Sequence, residues 1–465
     1  MNWRVTRFLA GLVLVVGAVS AVVAGYYRFF TPVPALEDLN VLLISVDTLG
    51  ERHLGRYNPE VKFTPNISKL ADGGVRFARH YAAAPWTKPA FASIFTGLMP
   101  SVHGTTDRSS GLSYDLLTLA ELFKERGFKT AGVVSHFYLG AESGYAQGFD
   151  SYKEITSKRR MHKIITSEKV SDSALKWLSN YSAAKEQNPF FMFLHYFDPH
   201  FNFMHHPDFK QTKPYNGPIQ PGMDIRKLRE LAPSFSAADL DYLIGLYHEE
   251  ISYTDHHIGR VLDALESLNL KRKTLIVFVA DHGEEFMEHG WIGHTRTLYN
   301  ELIRVPLIFY LPGVFKPAVI DDPVSQVDIL PTILALSKKA YAAEGLNGIS
   351  LLEQILTGKS NMPERDILSE VSFHSSAIPH AYKTSVVRGN LKAIHDKTTE
   401  VWELYDLALD PGEKTNIASV KPELLEGLAA VIRKWEAKEK GVFPAINEKA
   451  PAPEELEQLK SLGYM

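Results

Sequence analysis

Runs of apolar residues alternate with amphipathic stretches along most of the chain. Asn40–Asp47 is apolar almost throughout, as expected of a strand buried on both faces of a sheet. Similar runs recur at Thr130–Val134, Phe190–Phe197, Thr274–Ala280 and Pro306–Leu311. Helical periodicity is found between the runs, at Pro65–Asp72, Ala90–Phe95, Leu116–Arg126, Ser167–Ser182 and Ala237–Leu268. This alternation predicts an α/β fold with a mostly parallel sheet sandwiched by helices.

The pattern changes after residue 364. Short strands follow, separated by a Gly-Asn turn at 389–390 and an Asp-Pro-Gly turn at 410–412, and a charged helix is predicted near Pro422–Lys438. We therefore expect an α/β domain at residues 40–364 and a smaller antiparallel C-terminal subdomain at residues 365–465.

The N-terminal region contains a long uncharged segment at residues 8–27. At about 1.5 Å per residue, a helix of this length spans the roughly 30 Å hydrocarbon core of a bilayer. Arg4 and Arg7 precede it, which predicts a transmembrane signal anchor with residues 1–7 in the cytoplasm and residues 28–39 as a linker. The expected localisation is the cell (inner) membrane, single-pass, with the catalytic domain periplasmic or extracellular. A cleaved signal peptide is the alternative, because residues 18–20 are small.

Composition narrows the classes of function. The 465 residues include 50 Lys and Arg against 54 Asp and Glu, for a net charge of −4. This balance argues against a nucleic-acid partner, because such proteins usually carry a basic excess. The chain has no cysteine, which excludes disulfides, thiolate nucleophiles and thiolate metal sites. Any metal must therefore bind to His and carboxylate side chains.

Polar residues end three of the predicted strands. Asp47 ends the first, Asp198 and His200 follow Phe190–Phe197, and Asp281 with His282 follow the strand at 274–280. The carboxyl ends of parallel strands meet at one edge of a sheet, where such folds build their sites. The combination predicts a cation site with oxygen and nitrogen ligands. The alternative for each Asp is a helix cap.

A short apolar helix is predicted between the first two strand ends, and Thr87-Lys88-Pro89 stands at its start. A hydroxyl at a helix N-terminus lies among free N–H groups that favour an alkoxide and bind a tetrahedral oxyanion. Thr87 is therefore a candidate nucleophile that a neighbouring metal would activate. The alternative for Thr87 is an ordinary N-cap.

These features resemble the sulfatase family of the alkaline phosphatase superfamily. The resemblance runs from Asn40 to Met465 and rests on eight stretches in the family's order. They are NVLLISVDTL, FTPNISKLADGGVRF, PWTKPAFASIFTGLMPSVHG, HYFDPHFNF, ADHGEEFMEHGWIGH, LYNELIRVPLIFYLPG, VSQVDILPTILAL and ELYDLALDPGEKTNIA.

The resemblance implies a role for each matching residue. Asp47, Asp281 and His282 would hold a divalent metal, and Thr87 would be the nucleophile and a further ligand. His200 matches an ester-binding His, and His294 lies next to the position of a substrate-binding Lys. Thr87, His200 and His294 are thus the expected catalytic residues, with Lys88 and His136 expected to bind substrate. Apart from the resemblance, Glu284, Glu285 and Glu288 are expected to be solvated or to cap a loop, with support of the metal as the alternative.

Departures from the family pattern decide the predicted chemistry. Sulfatases convert a Cys or Ser to formylglycine, whereas Thr87 cannot give that aldehyde and Phe91 replaces the Arg of the motif. Thr48 stands where the family has a second Asp. A threonyl phosphate can be resolved by direct attack at phosphorus, so we predict a phosphodiester or a phospho-group transfer rather than a sulfate ester. The alternatives are a sulfatase without formylglycine and a non-catalytic binder of an anionic glycan or lipid headgroup.

The metal and the partners follow from the same comparison. His282 as a ligand favours Zn²⁺ or Mn²⁺, with Ca²⁺ as the other option. Asp198, His200 and His294 form an alternative second metal site, whereas the simpler reading has Asp198 as a loop cap and both His as substrate ligands. The expected partners are an ester substrate, with a lipid or an envelope glycan as options, and the membrane through the N-terminal helix.

Overall fold

Strands and helices alternate along the residues that the structure describes. The structure, a computed structural model, describes residues 34–155, 166–186, 188–341, 344–373, 380–438 and 446–447. The strands are β1 (Asn40–Val46), β2 (Val75–Phe77), β3 (His80–Tyr81), β4 (Ser110–Gly111), β5 (Lys129–Val134), β6 (Ser151–Glu154), β7 (Phe190–Tyr196), β8 (Thr274–Ala280), β9 (Glu285–Phe286), β10 (Ile292–Gly293), β11 (Leu307–Tyr310), β12 (Ala318–Ile320), β13 (Val324–Ser325), β14 (Ile367–Phe373), β15 (Ala381–Arg388), β16 (Leu391–Asp396), β17 (Val401–Asp406) and β18 (Ile446–Asn447). The α-helices are α1 (Pro65–Gly73), α2 (Thr87–Thr96), α3 (Pro100–His103), α4 (Leu119–Glu125), α5 (Ser167–Ala183), α6 (Ile225–Leu231), α7 (Ala237–Ser267), α8 (Asn300–Ile303), α9 (Ile329–Leu334), α10 (Leu352–Thr357) and α11 (Pro422–Glu436).

The largest sheet has eight strands in the order β12-β2-β11-β8-β1-β7-β5-β6. Five of its seven neighbouring pairs are parallel, and only the two pairs made by β11 are antiparallel. β1 lies in the middle, where Val46 pairs with Tyr196 of β7 and with Ala280 of β8. The prediction of a mostly parallel sheet is confirmed, and the residues that follow β1, β7 and β8 leave the sheet at the same edge.

Helices cover both faces of this sheet. On one face, α5 and α7 pack on alternate residues of the central strands, such as Leu42 and Met192. On the other face, Phe91 and Phe95 of α2 pack edge-on against Phe193 of β7, with ring centres 5.5 and 5.0 Å apart. Because β1, β7 and β8 are buried along their whole length, their sequences read as continuous apolar runs rather than as alternating ones.

Side-chain caps set the observed starts of two helices. The long helix α7 begins after Ser236, which forms a reciprocal capping box with Asp239. The apolar pattern at 116–126 predicted an earlier start for α4 than the structure has. There Thr118 and Glu121 form a second capping box, so the helix begins only at Leu119.

The C-terminal part contains the predicted antiparallel sheet. β14, β15, β16 and β17 pair in that order, each antiparallel to its neighbour. Helix α11 packs its buried Leu428 and Ile432 on Val386 and Ala393 of the sheet. This sheet and the main sheet both lie within the compact unit Leu36–Met465.

The predicted localisation needs correction. Among the residues described here, no helix has the length and the apolar character needed to cross a bilayer. This finding contradicts the predicted single-pass membrane localisation. The predicted anchor at residues 8–27 itself lies outside the described residues.

Candidate active site

Three predicted metal ligands come together at the carboxyl edge of the main sheet. Asp47 lies beside Asp281 because Val46 pairs with Ala280. His282 Nε2 is 3.6 Å from Asp47 Oδ1 and 3.4 Å from Asp281 Oδ2. Two ligands bound at about 2.1 Å to one tetrahedral ion would be about 3.4 Å apart. The three ligand atoms, all within 4.8 Å of one another, are therefore spaced as one ion requires.

These side chains are buried without the partners that charged groups need. Both oxygens of Asp47 and Oδ2 of Asp281 have no hydrogen-bond partner in the described part of the chain. Burial raises the pKa of Asp47 well above its usual range, and the nearby Glu284 raises it further. Burial likewise raises the pKa of Asp281, with repulsion from Asp47 as the next cause. A divalent cation would remove this cost, so the donor set fits a metal ion.

Backbone contacts aim the ligand atoms at a common point. His282 Nδ1 donates to the carbonyl oxygen of Gly283 at 2.9 Å, which leaves the lone pair on Nε2. Asp281 Oδ1 accepts the backbone N–H groups of Thr48 and His282, which leaves Oδ2 for an ion. Within the described ranges, this is the one group of three His, Asp or Glu side chains spaced to share a metal.

The Thr87 hydroxyl lies beside this group. Thr87 is the first residue of α2, and the extended Trp86 occupies the cap position, so an N-cap role for Thr87 is wrong. Its Oγ1 is 3.5 Å from His282 Nε2, and the side chain is fully buried. The N–H groups of the first turn and the helix dipole give this point a partial positive charge. The hydroxyl thus stands next to the metal ligands, where an oxyanion would be stabilised.

Three more His rings lie next to the metal group. The ring of His294 is 4.4 Å from that of His282 and 5.0 Å from that of His200, and His136 is 5.7 Å from His200 between ring centres. Burial lowers the pKa of His200, and His294 lowers it further. Burial also lowers the pKa of His294, followed by the charge of Arg229. His200 and His294 are therefore neutral near pH 7.

Hydrogen bonds define the tautomer of each ring. His294 Nδ1 donates to Glu284 Oε1, and His200 Nδ1 donates to the carbonyl oxygen of Phe201, at 2.9 and 2.8 Å. Nε2 is then the acceptor nitrogen of both neutral rings. His136 Nδ1 instead accepts the backbone N–H of Tyr138, which makes its Nε2 a donor. These three His rings thus offer two acceptor nitrogens, on His200 and His294, and one N–H donor, on His136.

Asp198 and Lys88 have other contacts. Asp198 accepts from the backbone N–H of Thr166 and Ser167 at 2.6 and 2.7 Å, so it caps α5. This corrects the second metal site of Asp198, His200 and His294, because among the described residues only Asp47, Asp281 and His282 are spaced to share a metal. The Lys88 ammonium donates to the carbonyl oxygens of two loop residues, at 2.8 and 3.1 Å. The substrate-binding roles of Lys88 and His136 stay predictions.

Three buried residues of the site were missed or misassigned from the sequence. His195 Nε2 lies 3.3 Å from Asp47 Oδ2, and a single His inside an apolar strand could have drawn attention to it. Glu284 is fully buried against His294, so the expectation that it is solvated or caps a loop is wrong. The Gln326 amide bonds the carbonyl oxygens of Ala280 and Asp281, and no sequence pattern marked it.

Comparison with known proteins shows the family of the chain. The family model described as Sulfatase matches residues 39–339, and that described as N-sulphoglucosamine sulphohydrolase, C-terminal, matches residues 287–436. A delta 4,5-hexuronate-2-O-sulfatase from Bacteroides thetaiotaomicron is 28% identical over 433 residues, covering 83% of this chain and 85% of the relative.

Two solved structures share the fold. A 2-O GAG sulfatase superposes with a TM-score of 0.72 at 24% identity, covering 87% of this chain and 93% of that one. A phosphonate monoester hydrolase from Agrobacterium radiobacter superposes with a TM-score of 0.70 at 22% identity, covering 86% and 96%. At these identities the likeness establishes the common architecture.

Proposed function

The chain belongs to the sulfatase family of the alkaline phosphatase superfamily, and we propose that this enzyme cleaves or transfers a phosphate ester through Thr87. The observation that carries the proposal is the buried Thr87 hydroxyl, 3.5 Å from His282 Nε2 at the start of α2. The nucleophile position thus holds an unmodified hydroxyl that can form and release a phosphoryl ester. A phosphonate monoester hydrolase with the same fold supports the choice of phosphorus.

The proposed reaction has two steps. Thr87 Oγ1 attacks phosphorus, the bond from phosphorus to the leaving oxygen breaks, and water or a second alcohol then releases the phosphoryl group from Thr87. A divalent metal held by Asp47, Asp281 and His282, which we propose to be Zn²⁺ or Mn²⁺, would supply Lewis-acid stabilisation of the charge on the ester.

The chain's own groups supply the rest of the proposed chemistry. Nε2 of one of the two rings, His200 or His294, accepts the one proton that the attacking hydroxyl gives up and returns it to the leaving alcohol. His136 Nε2 donates a hydrogen bond to an ester oxygen. Glu284 holds His294 in the required tautomer through Nδ1. All of these side chains are buried, which keeps bulk water from the reacting ester.

A sulfate ester is the second candidate, because the relative from Bacteroides thetaiotaomicron described above is named as a sulfatase. It would require a nucleophile that is not formylglycine. A purely binding role is less favoured because Asp47, Thr87, Asp281 and His282 are retained together in one buried group. The alcohol part of the substrate, whether glycan or lipid, is part of this proposal.

An ester panel tests the proposal. The full chain, with metal content measured by mass spectrometry, is assayed on bis(4-nitrophenyl) phosphate, 4-nitrophenyl phenylphosphonate, 4-nitrophenyl phosphate and 4-nitrophenyl sulfate. We expect a phosphorus diester to exceed the sulfate in kcat/KM by at least tenfold. Thr96→Ala is the matched control for Thr87→Ala, because the hydroxyl of this buried Thr in the same helix bonds the carbonyl oxygen of Ala92 and the N–H of Leu98. Sulfate as the preferred ester would contradict the proposal.

A further inference from the structure

Three partly exposed side chains lie on the side of the buried site next to His294. His294 and Phe201 are buried, and their rings stack with centres 5.1 Å apart. Beyond them lie Arg229, Trp291 and Arg296, each of which is partly exposed. Exposure thus increases from His294 and Phe201 to these three side chains.

Arg229 is held tightly against this side of the site. Its Nε donates to the carbonyl oxygen of Ile292 at 2.9 Å, and its guanidinium carbon lies 6.0 Å from the Phe201 ring centre. A Cβ on Gly293 would lie 2.5 Å from a terminal nitrogen of Arg229. Glycine at 293, which has φ +112°, thus lets the guanidinium approach the backbone directly before His294.

A second arginine shares an aromatic partner with the first. The guanidinium carbon of Arg296 is 4.1 Å from the Trp291 ring centre, and that of Arg229 is 4.7 Å from the same centre. In the described ranges, no carboxylate forms an ion pair with Arg296 within 4.0 Å. The nearby Glu285 instead accepts the backbone N–H groups of His289 and Trp291. An anion beside this indole would be attracted by both guanidinium groups. Arg229 also lies near the buried Glu284, whose pKa is raised by burial and lowered in part by the charge of Arg229.

We propose that Arg229, Trp291 and Arg296 form a second anion-binding subsite, so that the substrate carries an additional oxyanion on the part remote from the reacting ester. Guanidinium groups bind carboxylates and phosphates through paired N–H donors, and the fixed ring keeps both in place before binding. The inference rests on the proposed function in one respect: the reacting ester lies at Thr87.

Binding of matched phosphonates to the metal-loaded full chain tests this subsite. The probes are ω-phosphonocarboxylates of two to six carbon atoms and n-alkylphosphonates of the same lengths, measured by calorimetry. We expect one length of the carboxylate series to bind about tenfold more tightly than its alkyl counterpart, as a charge-assisted hydrogen bond allows. Arg229→Gln and Arg296→Gln should each reduce this ratio at least threefold. Arg226→Gln, on the exposed side of α6 beside Asp224, should keep it.

The outcomes separate this inference from the proposed function. A ratio near one at every length, or a preference that survives both arginine substitutions, would overturn the subsite. If phosphonates do not bind and the matching sulfonates do, the proposed phosphorus chemistry fails. In that case, the affinity of ω-sulfocarboxylates relative to that of alkylsulfonates of the same length decides whether the subsite exists. Failure of both series to bind would overturn it as well.

Discussion

Replacing Asp281 by asparagine should separate two effects of the metal ligands on stability. One is the destabilisation by their buried charges, and the other is the stabilisation by a bound metal. The asparagine oxygen can still accept the backbone N–H groups of Thr48 and His282 that Asp281 Oδ1 accepts now. The second oxygen of Asp281 has no hydrogen-bond partner among the described residues. In the variant its place beside Asp47 is taken by the uncharged amide nitrogen. The variant therefore removes a buried charge and a metal ligand while the local backbone bonds remain.

The magnitude follows from the spacing of the carboxylates. Their ligand atoms lie within 4.8 Å, where two like charges repel by about 3.5 kcal/mol at an effective dielectric constant of 20. Part of this repulsion is already relieved by the raised pKa values of Asp47 and Asp281. Without metal at pH 8, we expect Asp281→Asn to raise the free energy of unfolding by about 1–3 kcal/mol. With metal at a hundredfold excess over Kd, the wild type should gain about 2.7 kcal/mol and the variant almost none.

Thermal unfolding in chelator and in Zn²⁺ or Mn²⁺ measures both effects. Asp198→Asn is the matched control, because Asp198 is a buried strand-end carboxylate that caps a helix. It should lose about 1 kcal/mol in both conditions and keep the metal response. The reasoning is refuted if Asp281→Asn is destabilised in chelator and still responds to metal as the wild type does.

Three further predictions concern residues in and around the site. Thr87→Ala should lower kcat at least 10³-fold, while Thr87→Ser retains part of the rate, as measured on the preferred ester. Burial lowers the pKa of His103 to about 3. Its contribution to stability is thus complete above pH 6.5 and is lost as the pH falls toward 3. The free energy of unfolding, measured by chemical denaturation, should fall between pH 7 and pH 5. This fall should be about 2 kcal/mol smaller in His103→Asn than in the wild type. Lys392→Met should cost about 3–5 kcal/mol in denaturant melts, because it leaves Glu413 buried without its partner, and adding Glu413→Gln should recover part of this loss.

Most of the central fold was predictable because strands that are buried on both faces have continuous apolar sequences. β1, β7 and β8 appear in the sequence as continuous apolar runs, and each run ends in a polar residue at the sheet edge. The edge strand β6 was missed because Ser151–Glu154 is largely exposed and polar. Helix α6 was missed because only Ile225 and Leu228 of its seven residues are buried, which leaves a weak apolar pattern.

Site residues that directly follow a strand were predictable. Site residues in loops that fold back onto the site were less predictable. Asp47, Asp281 and His282 follow directly from strand register. Glu284 looked like one of several solvated acids, and only the tertiary fold brings it against His294. Asp198 showed the same local signal as Asp47, yet the partners supplied by Thr166 and Ser167 make it a cap. Local sequence could not distinguish these outcomes because the partners are distant in the chain.

Trapping the covalent intermediate tests the central claim most directly. The metal-loaded full chain is quenched in acid during turnover of its preferred phosphorus ester, digested, and examined by tandem mass spectrometry, with Thr87→Ala as the control. We predict a phosphoryl or phosphonyl group on the peptide containing Thr87, located at that hydroxyl and absent from the variant. An unmodified Thr87 during active turnover, together with a Thr87→Ala variant that keeps its rate, would contradict the account.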